Sequence, residues 1–199
     1  MFVGKVVVVT GAAGALGCAV FEHFAEGGAR VVALDYNDEL LDSAFPVKDP
    51  MHQYHKVDLT SRDSCQRVLS KLIDELGQID VLCNVAGGFL MGEAVHETSD
   101  EAWDFLFNLN TRSIVNTSSV VVPQMQKQGS GKIINVAAKA ATRGFANMGA
   151  YTASKAAVMR LTEAMAAELR DQQINVNCIM PGTIDTARNR EDMPDADHS

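Results

Sequence analysis

Apolar residues along this chain cluster into short runs, separated by longer stretches with a helical repeat. Val6-Val7-Val8-Val9, Ala29 to Leu34, Ile79 to Val85, Lys132 to Val136 and Ile174 to Met180 are runs of strand length. The four consecutive valines, and Ile79 to Val85 after them, predict strands buried on both faces; the other runs read simply as strands. Between them, Leu16, Val20, Phe21 and Phe24 share one broad helical face, while Glu22 and His23 point away. Gly27-Gly28 end that helix. Thr60 or Ser61 caps a second helix, whose apolar face carries Val68, Leu69, Leu72, Ile73 and Leu76 and which stops at Gly77. Thr98-Ser99-Asp100-Glu101 is a capping box opening a long helix through Trp103, Leu106, Leu109 and Ile114 to about Met125. Ala150 to Arg170 repeats as a strongly amphipathic helix. Lys56 to Leu59 reads as a short strand ending in Asp58, and residues 36–55 are the least legible stretch. Strand and helix alternate with no internal repeat, which predicts an α/β protein whose parallel sheet is covered on both faces.

Composition narrows the class. The 199 residues suit one domain, 1–199, with a sizeable core and a polar loop or tail over 184–199. A net charge of −8 and no Lys/Arg cluster argue against nucleic acid or an anionic membrane as partner. No apolar run approaches a membrane span, and residues 1–9 lead straight into a core strand without a signal peptide. Cys18, Cys65, Cys83 and Cys178 lack metal-ligand spacing and read as buried reduced thiols, which fits a cytoplasmic setting. His52 and His55 lie in a polar, proline-broken stretch and read as solvated loop residues rather than a metal pair, so no metal is expected.

Candidate chemistry begins at Thr10-Gly11-Ala12-Ala13-Gly14-Ala15-Leu16-Gly17, directly after the first strand. Strand, glycine turn and helix opening together make an anion cradle, where free N–H groups and the helix dipole converge. Glycines also close ordinary tight turns. Asp35 ends the second strand, where an acidic residue takes the adenosine ribose hydroxyls of a dinucleotide and repels a 2′-phosphate. No Arg or Lys stands at 12–16 or 36–38, so NAD is favoured over NADP. The other reading of Asp35 is a solvated strand end. Ala86-Gly87-Gly88 leave room in the crevice beyond a strand's carboxyl end. Tyr151 and Lys155 stack at i and i+4, either as a surface pair or as a phenol beside a cation. Periodicity alone makes Asn110 an exposed helix residue.

Taken in order, these motifs resemble the short-chain dehydrogenase/reductases over residues 4–186. Thr10-Gly11-x-x-x-Ala15-x-Gly17 is similar to the family's cofactor turn, Asp58-Leu59 to the pair beside the adenine, and Asn84-Val85-Ala86-Gly87 to its Asn-Asn-Ala-Gly signature. Tyr151-x-x-x-Lys155 is similar to the catalytic pair, Asn110 to the catalytic Asn, and Pro181-Gly182-x-Ile184-x-Thr186 to the segment touching the nicotinamide. The resemblance implies a doubly wound, Rossmann-type single domain and NAD(H)-dependent hydride transfer to or from a small substrate, in a homodimer or homotetramer. It implies Tyr151 as acid/base, Lys155 as its tuner and ribose ligand, and Asn110 as relay. The cofactor is then lined by Gly11, Ala13, Gly14, Ala15, Leu16, Gly17, Asp35, Tyr36, Asp58, Leu59, Asn84, Ala86, Gly87, Pro181, Gly182, Ile184 and Thr186, with Tyr151 and Lys155.

Two departures qualify that implication. Asn135-Val136-Ala137-Ala138 stands where the family reads Asn-Ile-Ser-Ser, so Ala138 occupies the slot of the Ser that polarises the substrate carbonyl. One branch, the NADH-dependent quinonoid dihydropteridine reductases, also carries Ala there. That branch is similar again in Ala138-Lys139-Ala140-Ala141, in Cys83 with Val85-Ala86-Gly87-Gly88, and in Asp185-Thr186-x-x-Asn189-Arg190-x-x-Met193-Pro194-x-Ala196-Asp197. A non-catalytic NAD sensor is the rival reading that Ala138 motivates. The second departure is the family's last helix and strand. Either the sheet ends one strand early, or the remainder lies outside this sequence.

Overall fold

The computed structural model describes residues 1–192. Six strands form one all-parallel sheet in the order β3-β2-β1-β4-β5-β6. They are β1 (Val6–Thr10), β2 (Arg30–Asp35), β3 (Gln53–Lys56), β4 (Val81–Asn84), β5 (Gly131–Val136) and β6 (Ile174–Ile179). The helices are α1 (Ala15–Glu26), α2 (Asp38–Ala44), α3 (Arg62–Leu76), α4 (Asp100–Phe107), α5 (Ser113–Gln128), α6 (Gly149–Leu169) and α7 (Ala187–Asp192). Strand order reverses at β1, so the connections leaving the paired strands β1 and β4 part at their carboxyl ends, where such sheets bind ligands in a crevice. Among the described residues, no helix is long and apolar enough to cross a membrane.

The unbroken valine run does what its pattern demands. Val6 and Val8 pack into a core with Leu69 and Leu72 of α3 and Val121 and Met125 of α5. Val7 and Val9 pack on the opposite face with Phe21 of α1 and Leu41 of α2. Helices cover the sheet on both faces, as expected, except at the edge strand β6. Ile174 and Val176 are buried, but Asn175, Asn177 and Ile179 are exposed, so one face of this strand is open among the described residues. The sequence carries the same message, since the two asparagines alternate with apolar residues.

Other boundaries moved for identifiable reasons. The third strand is Gln53–Lys56, not Lys56–Leu59, because its place is fixed by pairing with β2 from Val32↔Gln53 to Asp35↔Lys56. Within 36–55 the chain also builds α2, capped by the Asn37 side chain, which accepts from the Leu40 N–H at 2.7 Å. His52 is no solvated loop residue. It is buried, its Nδ1 accepts from the Val31 N–H at 3.2 Å, and its ring meets the edge of Phe21. That bond needs the neutral imidazole, and burial holds its pKa below the ordinary value. His55 is half-buried beside Gln53, 3.1 Å from its Oε1. Ser61, not Thr60, caps α3. The long helix expected from Ser99 is interrupted by a π-helical segment, Asn108–Arg112. Cys65 and Cys83 are buried, whereas Cys18 and Cys178 are only partly so, and all four are free thiols. The polar tail begins as α7, with Thr186 Oγ1 accepting from the Asn189 N–H and Arg190 forking onto Asp185 at 2.6 and 2.8 Å. Met193, Pro194, Ala196 and Asp197 lie outside the described residues.

Candidate active site

The turn after β1 is built by close approach. Gly11 has φ +63°, and a Cβ there would stand 2.7 Å from the Ala86 Cα. A Cβ on Gly17 would stand only 2.0 Å from the Gly11 carbonyl oxygen. These two glycines let the turn fold against itself and against the loop beyond β4. Gly14 precedes α1 in an extended conformation and donates to the Gly11 carbonyl at 3.1 Å. Ala15, Leu16 and Gly17 form the first turn of α1, where N–H groups have no partner within the helix. The Ala13 N–H instead donates to Asp35 Oδ2 at 2.9 Å, and the Tyr36 N–H to Asp35 Oδ1 at 2.7 Å. A charged acceptor held by two amides is fixed at the end of β2, not a freely solvated strand end. The Tyr36 side chain is exposed beside it.

Further along the strand ends, Asp58 Oδ1 accepts from both the N–H and the hydroxyl of Thr60, and Leu59 is buried next to it. Asn84 is buried below the crevice. Its Nδ2 donates to Asn135 Oδ1 and its Oδ1 accepts from Thr117 Oγ1, both at 2.9 Å. Its carboxamide is thus committed to joining β4, β5 and α5. Pro181, Gly182, Ile184 and Thr186 form the connection from β6 to α7. The Pro181 carbonyl accepts from the Lys139 N–H at 2.8 Å, and the Ile184 carbonyl from Asn189 Nδ2 at 2.9 Å.

The chemistry-bearing groups meet between these two halves. Lys155 is 5% exposed and donates from Nζ to the Val136 carbonyl at 2.9 Å. Burial pulls its pKa from 10.5 down to about 8. Tyr151 precedes it by one helical turn and packs edge-on against Phe89, ring centroids 4.9 Å apart. Burial raises the phenol above its ordinary value, the opposite direction to the lowering expected from a neighbouring ammonium. Asn110 is 1% exposed, not on the helix surface as its periodicity suggested. Its Oδ1 accepts from the Gly88 N–H at 2.8 Å, and its Nδ2 donates to the Gly88 carbonyl at 3.1 Å and to Ser154 Oγ at 2.9 Å. A Cβ on Gly87 would stand 2.9 Å from both Asn110 Oδ1 and Lys155 Nζ, so the two converge over its bare Cα. Ala138 lies buried just beyond β5 and presents a methyl group.

Three side chains support the site through contacts that the sequence pattern did not indicate. Thr10 Oγ1 accepts from the Val85 and Ala86 N–H groups at 3.1 and 3.2 Å, pinning the loop beyond β4 to the end of β1. Ser154 and Thr111 link α6 to the π segment. Thr10 was visible as the one polar residue closing a valine run. Ser154 and Thr111 carried no signal in the sequence.

Fold and site together define a dinucleotide-binding α/β protein of the oxidoreductase kind, and comparison with known proteins gives the family. The short chain dehydrogenase family matches residues 5–197, and the chain belongs to that family. It is 39% identical over 189 residues to dehydrogenase/reductase SDR family member 6 of Aquarana catesbeiana, covering 94% of this chain and 74% of the relative. It is 38% identical to the 3-oxoacyl-[acyl-carrier-protein] reductase FabG of Thermotoga maritima, covering 92% and 75%. Among solved structures, NAD+-bound xylitol dehydrogenase superposes with a TM-score of 0.88 at 32% identity, covering 94% of this chain and 73% of that one. A metagenomic short-chain oxidoreductase in complex with NADP gives 0.84 at 30% identity, covering 90% and 83%.

Proposed function

We propose that this chain is an NAD(H)-dependent oxidoreductase that moves hydride to or from a small carbonyl/alcohol or activated imine-type substrate, with Tyr151 as acid/base. The observation that carries this reading is the convergence of Lys155 Nζ and Asn110 Oδ1 over Gly87, one helical turn from Tyr151 and beside the turn after β1. The nicotinamide dinucleotide, when bound, supplies or receives the hydride. Gly11 and Gly17 leave backbone bare where a pyrophosphate can approach, and the first turn of α1 offers N–H donors to it. Asp35 is anchored where it can accept from ribose hydroxyls and repel a 2′-phosphate, which supports NAD over NADP. Burial keeps the Tyr151 phenol protonated at neutral pH, which suits proton donation to the substrate oxygen or nitrogen in the reductive direction. A Lys155 ammonium favours the phenolate left behind. Asn110 and Lys155 together can hold a water that returns the proton. A homodimer or homotetramer is part of this proposal, supported by exposed Trp103, Phe105 and Val115 on α4 and α5.

With NADH and a reducible acceptor, Tyr151→Phe is expected to lower turnover on the order of 10²–10⁴-fold while NADH affinity is unchanged. Turnover at the parental rate overturns the proposal.

A narrower reading, quinonoid dihydropteridine reductase-like activity, is favoured by the buried methyl of Ala138. An electron-poor ring accepts hydride without a hydroxyl to polarise it. Quinonoid dihydropterin should then outpace simple ketones, and Ala138→Ser should raise ketone reduction roughly tenfold or more, the usual scale of one positioned donor. An unchanged or lower ketone rate removes the support that Ala138 gives. The rival, a sensor that binds NAD without catalysis, has no use for an amine buried beside a phenol.

A further inference from the structure

We infer that Ser154 is a positioning residue for this reaction: its hydroxyl orients the Asn110 carboxamide and registers α6, which carries Tyr151 and Lys155, against the π segment. The inference rests on the acid–base reading of Tyr151, Lys155 and Asn110.

Ser154 is fully buried and faces neither solvent nor the open crevice. Its single hydroxyl proton goes to the Tyr151 carbonyl at 2.8 Å, so toward Asn110 it can only accept. A carboxamide is nearly symmetric in shape, and its orientation is chosen by its partners. Here three partners agree. The Gly88 N–H requires the oxygen, while the Gly88 carbonyl and the Ser154 Oγ each take one proton of the NH₂ group. Both Nδ2 protons are thereby engaged, and only a lone pair of Oδ1 remains to serve the space above Gly87 that it shares with Lys155.

The neighbouring residue grips the same point. Thr111 Oγ1 donates to the Ser154 carbonyl at 3.1 Å. Successive side chains on a helix diverge by about 100°. That Asn110 and Thr111 both reach Ser154 places it at the centre of the contact between α6 and the π segment, and π segments recur at functional sites. A merely structural view sees a small residue where two helices touch, a task alanine performs equally well. The two views part at the hydroxyl. Without it, one buried Nδ2 proton has no acceptor, and Gly88 alone holds Asn110.

A double-mutant cycle separates them. Ser154→Ala is expected to lower kcat about tenfold with KM for NADH unchanged, and to shift the pH profile of kcat. In the Asn110→Ala background the same substitution should cost nothing further. Ser154→Cys, which keeps the size but accepts weakly, should lower kcat in the same direction and stands in if the alanine variant does not fold. Parental kcat and pH profile in Ser154→Ala, or losses that add independently to those of Asn110→Ala, overturn the inference while leaving the acid–base reading intact. Full activity of Tyr151→Phe overturns both.

Discussion

Lys155→Met is expected to make the protein more stable and inactive at once. The ammonium is held in a site that pulls its pKa from 10.5 to about 8. Above pH 10.5 the amine is neutral in both folded and unfolded chains, and its burial carries no ionisation cost. As pH falls from 10.5 toward 8, the unfolded chain takes up the proton first and stability declines; below about 8 the cost is complete and constant. A tenfold change in proton affinity corresponds to about 1.4 kcal/mol, so at neutral pH the buried charge opposes folding by about 3 kcal/mol. Methionine fills similar volume without charge but strands the Val136 carbonyl, a loss of about 1–2 kcal/mol. The net gain of about 1–2 kcal/mol corresponds to a melting temperature higher by a few degrees. Thermal unfolding followed from pH 7 to 10.5 should show the gap between parent and variant closing as pH rises. Turnover should fall on the order of 10²–10⁴-fold. A variant less stable than its parent at pH 7 would mean that the amine's bond to Val136 outweighs its desolvation.

Gly17→Ala is expected to disable cofactor binding and destabilise the fold, despite improving helix propensity. Alanine within α1 would ordinarily gain about 1 kcal/mol over glycine. Here the new methyl would sit 2.0 Å from the Gly11 carbonyl oxygen and 2.8 Å from the Ala12 Cα, both backbone atoms of the turn. No flexible side chain can yield, so α1 must shift away from the turn. Overpacking of this kind costs about 1–3 kcal/mol, and rigid backbone places this site at the upper end. Because the displaced elements are the anion cradle itself, NADH titration should show affinity reduced at least tenfold. Parental affinity together with a raised melting temperature would show that the turn is softer than its contacts imply.

Legibility along the chain followed how locally each element is determined. The four valines of β1, a cap at Thr60 or Ser61 and the Gly77 stop of α3 were readable because a few adjacent residues settle them. β3 was placed three residues late because Gln53-Tyr54-His55-Lys56 has no apolar run, and partner β2 supplies its reason for being a strand. His52 looked solvated in a polar stretch. Its ring meets Phe21, thirty-one positions earlier in the chain, which itself packs with Phe45 and Tyr54. Asn110 is the sharpest case in the site. A repeat of 3.6 put it on the surface, and the π segment rotated it inward.

By itself, the sequence determined the class of fold, the glycine turn, the acidic end of β2 and the spacing of Tyr151 with Lys155. All of these are set by steric demands and periodicities that act over a few residues. Only the tertiary structure decided what those groups meet. Lys155 faces Val136 and Asn110 over Gly87, Asn84 is drawn into a buried network, and Ser154 becomes the joint between α6 and the π segment. Such contacts join positions tens of residues apart, and burial and hydrogen-bond geometry, which no local pattern encodes, select among them.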